Sequence, residues 1–561
     1  MNSQTTGGSN NAFGHNAAYS TTTGTANVAI GGDALYTNTT GESHVGVGYY
    51  ALRQTTTGIR NVAVGREALR YNTTGSFSTA LGFQAGYTNT TGRNTSLGYV
   101  AAYTNSTGDN NTAVGDSALY TNTVSDNTAI GYASLLDNTT GTLNTAVGAN
   151  SGFNATTPNE LVAIGYSAAG LGVLTGNSNV LVGSYAGYDM TSGNQNVAIG
   201  QGAMFEATSA EYGTAVGYQA MRNLTTGNNN TTVGWESGYN ITTGTHNTYI
   251  GRGSGHNGTT GGDNVAMGSS SLYTISTGNN NTSIGYSSMY YNTTGSSNTA
   301  VGKNALINNT TANDNVVMGY QASYNSTTGH SNTYIGSYAG FNTTTGFRNT
   351  YIGYEAGSDA QTGTDNLAIG YKAGTYQTNL SSGDGCCLVG PYCDPVDGTD
   401  NYSHGLGYNL DCAGGYTTLG NGSSDIRAQH GVATWSTVSD ERYKKDIVDS
   451  TTGLSFINNL KPRTFKYKTL GELPDTFLAY EEGSTEVFKS DKTQHGFIAQ
   501  EVKAAIDADN GIKDGFKFWD ERADGSQEVA EAALIPVLVK AIQELSAKND
   551  ALEARITTLE G

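Results

Sequence analysis

The sequence predicts a mainly β chain. A long parallel β-solenoid, or β-roll, of 17-residue coils is followed by a small α/β module ending in a coiled coil. Three observations predict it. A pentapeptide ending in glycine returns about every 17 residues from about residue 10 to residue 375. Charge is sparse across that stretch and dense after residue 436. Near the C-terminus apolar residues step alternately by four and three.

The pentapeptide reads NVAVG at 61–65, NTAVG at 111–115, NTAIG at 127–131, NVAIG at 196–200, NTSIG at 281–285 and NTYIG at 349–353. Its last glycine recurs from Gly14 to Gly370; of 21 intervals, 18 are 17 residues and the others 16, 16 and 18. Each unit reads as a short strand, a tight corner, a second short extended piece and a polar turn. Strand side chains alternate, so Val62 and Val64 share one face while Ala63 and Gly65 share the other. The second piece carries a small residue, then Leu, Met or Gly, then often an aromatic, as in Ala118-Leu119-Tyr120 and Ser288-Met289-Tyr290. NTTG segments suit turns, because Asn and Gly tolerate left-handed backbone and Asn amides bond nearby main chain. A 17-residue unit cannot bury its own apolar face, but stacked coils can. The expectation is a continuous core of Val/Ile and Ala columns. Short apolar runs and dense Gly and Asn exclude a helical repeat. At about 4.8 Å per coil the rod is on the order of 100 Å long.

A column of aromatics follows the strand glycine: Tyr99, Tyr132, Tyr166, Tyr218, Tyr286, Tyr320, Tyr354 and Tyr371, with Phe83 and Trp235 in the same slot. Such a column either stacks on itself to support the fold or offers rings to sugars. Asn-x-Thr triplets abound and, without a secretory route, read as turn chemistry. No carboxylate pair resembles glycosidase machinery.

After Gly370 the spacing changes, to Gly390, Gly407 and Gly420. The segment 376–438 is expected to be a cap or neck closing the exposed end of the 1–375 rod. It contains all four cysteines, Cys386, Cys387, Cys393 and Cys412, in a spacing that matches no zinc pattern. They read as plain thiols, with a local disulfide or an adventitious metal as alternatives. No cofactor or metal site is expected.

Residues 1–436 hold 11 Lys/Arg and 23 Asp/Glu, net −12; residues 437–561 hold 16 and 23, net −7. No basic stripe exists, so nucleic-acid binding is not expected. No run of eighteen apolar residues appears, so no membrane-spanning helix is expected either. The start, MNSQTTGGSNNAFGHNAAYS, lacks the basic and apolar regions of a secretory signal.

The third module spans 439–561. PRTFKYK (462–468) alternates like a strand, and QHGFIAQEVKAAI (494–506) reads as a strand or turn running into a helix. Residues 534–560 read as a coiled-coil helix. Leu538, Ile542, Leu545, Asn549, Leu552, Ile556 and Leu559 form its seam, with the single polar residue Asn549 fixing register. Ile at a with Leu at d leans toward a dimer, in conflict with a trimeric rod.

The pentapeptide resembles the head repeats of trimeric autotransporter adhesins, through its AIG/AVG strand end and the Ser or Ala that follows. The period here is longer than in that family. The resemblance implies a β-roll packed as a trimer. Four features of the third module are similar to the peptidase S74 family: SDERYKKDI (439–447), LKPRTFKYK (460–468), HGFIAQEV (495–502) and the terminal coiled coil. That family comprises intramolecular chaperone domains at the C-terminus of phage tail fibres and tailspikes. The resemblance implies a trimerising chaperone that assembles the β-structure upstream and then cuts itself off. It places the cut between Val438 and Ser439, with Ser439 as nucleophile and Lys444 as base. A serine needs such a base, and a lysine serves as one only when its pKa falls from about 10.4 to about 7–8. Lys445 and Arg442 are cations in position to help; Asp440, Glu441 and Asp446 act the other way.

The resulting expectation is a homotrimeric bacteriophage tail fibre, assembled in the host cytoplasm and carried on the virion. It would bind a bacterial surface receptor, glycan or outer-membrane component, and other virion tail proteins. Its only enzymatic act would be one self-cleavage. The repeats begin by about residue 10, so another protein would connect the fibre to the virion, unless this chain is a distal fragment. A bacterial surface adhesin and a threonine-array ice- or surface-binding solenoid are the alternatives.

Overall fold

The computed structural model describes residues 5–422, 424–437, 439–512 and 516–561. The chain divides into two compact units, Met1–Val438 and Ser439–Gly561.

The first unit is a parallel β-solenoid with one three-residue strand per coil, from β1 (Asn11–Phe13) to β22 (Leu367–Ile369). Each strand pairs in register with the next, Val62↔Thr79 and Thr214↔Thr231 for example. The 16- and 18-residue coils keep this register, so their length differences are taken up outside the strands. The glycine clock has a steric origin. At Gly65 the backbone is left-handed (φ 137°), and an added Cβ would lie 2.3 Å from the carbonyl oxygen of Gly82 on the next coil.

The core differs from expectation in one respect. From β2 to β22 the middle residue of each strand points inward, and Ala63, Ala113, Ala198 and Ala300 are fully buried. The flanking Val, Ile and Thr residues are half-buried or exposed. The Val/Ile columns therefore face outward. The coil is too narrow for a large residue on both walls, and the opposite wall already contributes buried Leu69, Leu119, Met221 and Leu306. That opposite wall is not an extended strand. Left-handed residues such as Tyr50 and Leu52 (φ 63° and 49°) recur along it, yet its amides still bond the next coil. Leu52 N–H donates to Ala68 O at 3.0 Å, and Gln54 N–H to Arg70 O at 3.0 Å.

Volume is exchanged across the two walls. Where the strand centre is Ala63, the opposite position is Leu69; where it is Tyr249, Tyr334 or Tyr351, the opposite residue is Gly255, Gly340 or Gly357. Swaps that conserve total volume are the ones a close-packed interior tolerates.

The leading Asn of the pentapeptide forms a buried ladder. Asn298 is typical: its Nδ2 donates to Ala312 O (2.7 Å) and Asn281 Oδ1 (3.2 Å), and its Oδ1 accepts from Asn315 N–H (3.1 Å). The Asn of NTTG instead caps its own turn, as Asn38 Oδ1 does for Gly41 N–H at 3.0 Å.

Parallel stacking continues beyond residue 375 through β23 (Cys387–Val389), β25 (His404–Tyr408) and β27 (Tyr416–Asn421). A two-residue pair, β24 (Asp394–Pro395) and β26 (Asp411–Cys412), runs beside them. Then β28 (Ser424–Gln429) turns back antiparallel on β27, and β29 (Ser436–Thr437) pairs antiparallel with β28. This turned-back strand occupies the edge that the last coil would otherwise leave open.

The second unit is a small α/β module. Helix α1 (Leu454–Asn459) packs against the 26-residue helix α3 (Ile535–Glu560), and Leu454 N–H donates to Glu544 Oε2 at 2.8 Å. β30 (Arg463–Phe465) pairs antiparallel with β31 (Gln494–Gly496), which leads into α2 (Ala499–Ala508). β32 (Trp519–Glu521) and β33 (Gln527–Val529) form a second antiparallel pair. Phe456, Val502, Phe518 and Val537 make its core.

Candidate functional site

The charged run at the start of the second unit folds into one turn of 3-10 helix, Glu441–Tyr443. Asp440 caps it by accepting the Arg442 N–H at 2.8 Å. The Arg442 guanidinium folds back onto the same carboxylate, at 2.9 and 2.6 Å. That fork, followed by the backbone bond, holds the Asp440 carboxyl below the usual carboxylate range. The turn carries the chain round so that Lys444 faces Ser439. Lys444 Nζ lies 2.7 Å from Ser439 Oγ and 3.2 Å from Ser439 O.

A hydroxyl and an amine at that separation can exchange a proton directly. The neighbourhood is polar, and both residues are solvent-exposed within their unit. Arg442 is occupied by Asp440, so the pair offsets the acidic charge nearest Ser439, while Lys445 pairs with no carboxylate among the described residues. Val438 lies outside the described residues.

The seam residues of the terminal helix, Leu538, Ile542, Leu545, Leu552, Ile556 and Leu559, are all exposed, whereas Val537 and Ala541 on another face of α3 are buried. Asn549 is exposed too, and its amide donates along the helix to Glu553 at 3.1 Å.

The cysteines are free thiols. Cys386, Cys393 and Cys412 are buried, and Cys393 Sγ lies 3.6 Å from Cys412 Sγ. Among the described residues no cluster of three or more His, Cys, Asp or Glu could hold a metal ion. No helix of the described residues is long and apolar enough to cross a membrane.

The aromatic column after the strand glycine is half-exposed and stacks only in places. Phe83 lies on Tyr99 at 5.3 Å and Tyr354 on Tyr371 at 5.4 Å, while Tyr166 and Tyr320 meet Tyr185 and Tyr338 edge-on. A different column, on the opposite wall, stacks more regularly: Tyr87, Tyr103 and Tyr120, and later Tyr239, His256, Tyr273 and Tyr290, at 4.8–5.1 Å.

Residues 439–510 match the family model Peptidase_S74, described as the chaperone of endosialidase. No curated protein and no solved structure matches the chain. The chain thus joins a long parallel β-solenoid to a C-terminal unit of which residues 439–510 match the Peptidase_S74 family model, and Ser439 is the first residue of that match.

Proposed function

We propose that this chain is the precursor of a homotrimeric bacteriophage tail fibre, whose C-terminal domain assembles three chains and then releases itself by cutting between Val438 and Ser439. The observation that carries the reading is the 2.7 Å approach of Lys444 Nζ to Ser439 Oγ, at the first residue matched by a chaperone family.

In this reading Ser439 Oγ attacks the Val438 carbonyl carbon while Lys444 takes the hydroxyl proton. A C–O bond forms, the Val438–Ser439 C–N bond breaks, and the proton passes to the departing Ser439 nitrogen. Water then hydrolyses the ester, giving a Val438 carboxylate and a free Ser439 amine. A lysine base must be neutral, and burial is the usual way to favour that form. The site is open within one chain. Packing of neighbouring protomers over it would supply the burial, so that cutting waits for assembly.

The exposed apolar seam from Leu538 to Leu559 supports assembly, because water-facing Leu and Ile at four-three spacing are covered when helices pair. The outward Val/Ile columns offer a further apolar surface along the solenoid. Near-identical coils also create a need for a chaperone, since a slip by one coil costs few contacts. The released trimer would be part of the virion and bind a surface component of the host bacterium.

The first threonine of the NTTG turns is a poor ice-binding group, because its hydroxyl hydrogen is spent on the next coil, as Thr225 Oγ1 is on Thr242 O at 3.0 Å.

Expression of Ser439→Ala tests the proposal. It should give only full-length chain on a denaturing gel, whereas wild type gives two fragments. If Ser439→Ala is still cut after Val438, Ser439 is not the nucleophile.

A further inference from the structure

One flank of the solenoid carries two polar columns that together edge a groove of about 960 Å³ over residues 274–361. In the first column Asn308 donates to Asn325 Oδ1 (3.4 Å), and Asn325 to Asn342 Oδ1 (2.8 Å). In the second, Thr293 Oγ1 donates to Thr310 O (2.9 Å), Thr310 to Thr327 O (3.2 Å) and Thr327 to Thr344 O (3.3 Å). Tyr291 occupies the asparagine column near the N-terminal end, one coil after Thr274. The residue is 49% exposed, and its ring is braced edge-on by Tyr290 at 4.7 Å.

These bonds decide what the groove can still offer. Each threonine hydroxyl has used its hydrogen and presents only lone pairs. Asn308, Asn325 and Asn342 each keep one amide N–H that meets no acceptor among the described residues. Acceptors and donors therefore face the groove in two parallel rows, repeated once per coil, about every 4.8 Å.

That period selects the ligand. An extended peptide rises about 3.3 Å per residue and repeats its same-face groups about every 6.6 Å, out of step with the coils. An extended β-1,4-linked hexose chain rises by close to one coil per ring and turns successive rings over, so its same-face hydroxyls return about every second coil, in step with the columns, and every ring carries hydroxyls that both donate and accept. Charge narrows the choice further. The first 436 residues are net −12, and the asparagine column ends on Asp359, which accepts from Asn342. A polyanionic chain would be repelled.

We infer that this groove binds a linear, uncharged β-linked hexose glycan lying along the solenoid axis, about one ring per coil, with one terminal ring stacked on Tyr291. The inference rests on the receptor-binding reading above and names its site and ligand class.

The test uses the full chain and titrates cellohexaose and maltohexaose by calorimetry, the latter being α-linked and coiled. Cellohexaose should bind saturably and more tightly than maltohexaose. Tyr291→Ala should weaken cellohexaose binding about tenfold, Tyr291→Phe should retain it, and Asn240→Leu, in the same column beyond the groove, should leave it unchanged. Absence of saturable cellohexaose binding, or binding indifferent to Tyr291→Ala, overturns the inference. Capture by intact bacteria from a strain panel separates the two readings. If cells capture wild type and Tyr291→Ala equally, the groove proposal falls and the receptor reading stands. If no strain captures the wild type while cellohexaose still binds, the reverse holds.

Discussion

Asn298→Ala would remove one rung of the buried asparagine ladder, and its cost can be worked from the bonds. Ala312 O would keep the Asn309 amide, and Asn281 Oδ1 would keep the main-chain N–H of residue 298. The Asn315 N–H and one Asn315 amide hydrogen, which now reach Asn298 Oδ1 at 3.1 and 3.0 Å, would be left with nothing. Each orphaned buried donor costs about 1–3 kcal/mol, so the variant, which orphans two, should lose about 2–6 kcal/mol. The exposed Thr328→Ala should lose about 0.5 kcal/mol or less. Because a coil touches only its neighbours, the loss of amide protection should be confined to the coils around 281–315. Guanidinium unfolding measures the cost, and hydrogen exchange read by mass spectrometry maps it. Asn298→His should be milder than Asn298→Ala. His44 already fills that column, with Nδ1 accepting from Asn61 N–H at 3.2 Å and Nε2 donating to Gly58 O at 2.7 Å. A cost under about 1 kcal/mol, or protection lost evenly along the solenoid, would refute the ladder's role.

Burial holds His44 down at about 4, below its ordinary 6.5 and against the pull of its two backbone bonds. Between these values the unfolded chain binds a proton that the folded chain does not. His44's contribution is therefore fully present above pH 6.5 and lost as pH falls through about 4, a total of about 3 kcal/mol. Stability against pH should flatten over that window in His44→Asn. In the exchanged pairs, Gly357→Leu should destabilise strongly, since even a Cβ there would come within 2.5 Å of the Tyr351 ring. Adding Tyr351→Ala should recover most of the loss by recreating the Ala63–Leu69 arrangement, which already places a leucine at φ 48°. Thermal unfolding of the single and double variants checks this; additive losses would contradict it.

The solenoid was legible because its commonest marker cannot drift. Gly65 and its equivalents stand where any side chain would strike the next coil, so the period survives in the sequence while neighbouring residues vary. The sense of the strand was not legible. NVAVG alternates equally well with either face inward, and only the buried Leu on the opposite wall decides for Ala63 over Val62 and Val64. The asparagine ladder was hidden for a similar reason. Position 298 reads as part of a motif, whereas its partners lie 14–17 residues away along the chain. The terminal helix was plain from four-three spacing between Leu538 and Leu559. Ser439 and Lys444 were named only through resemblance. Five residues of separation do not say that the chain turns back, and the Asp440 cap with its Arg442 fork is what brings them face to face.

The central claim is that the solenoid parts from its C-terminal domain at Ser439 after three chains have assembled. Mass spectrometry of the expressed wild-type protein tests it most directly, because denaturing spectra report the cut and native spectra the assembly. The account predicts one fragment ending at Val438, one beginning at Ser439, and a native species containing three copies of the first. A single intact chain, a cut at another bond, or a cleaved product that is only monomeric would contradict it.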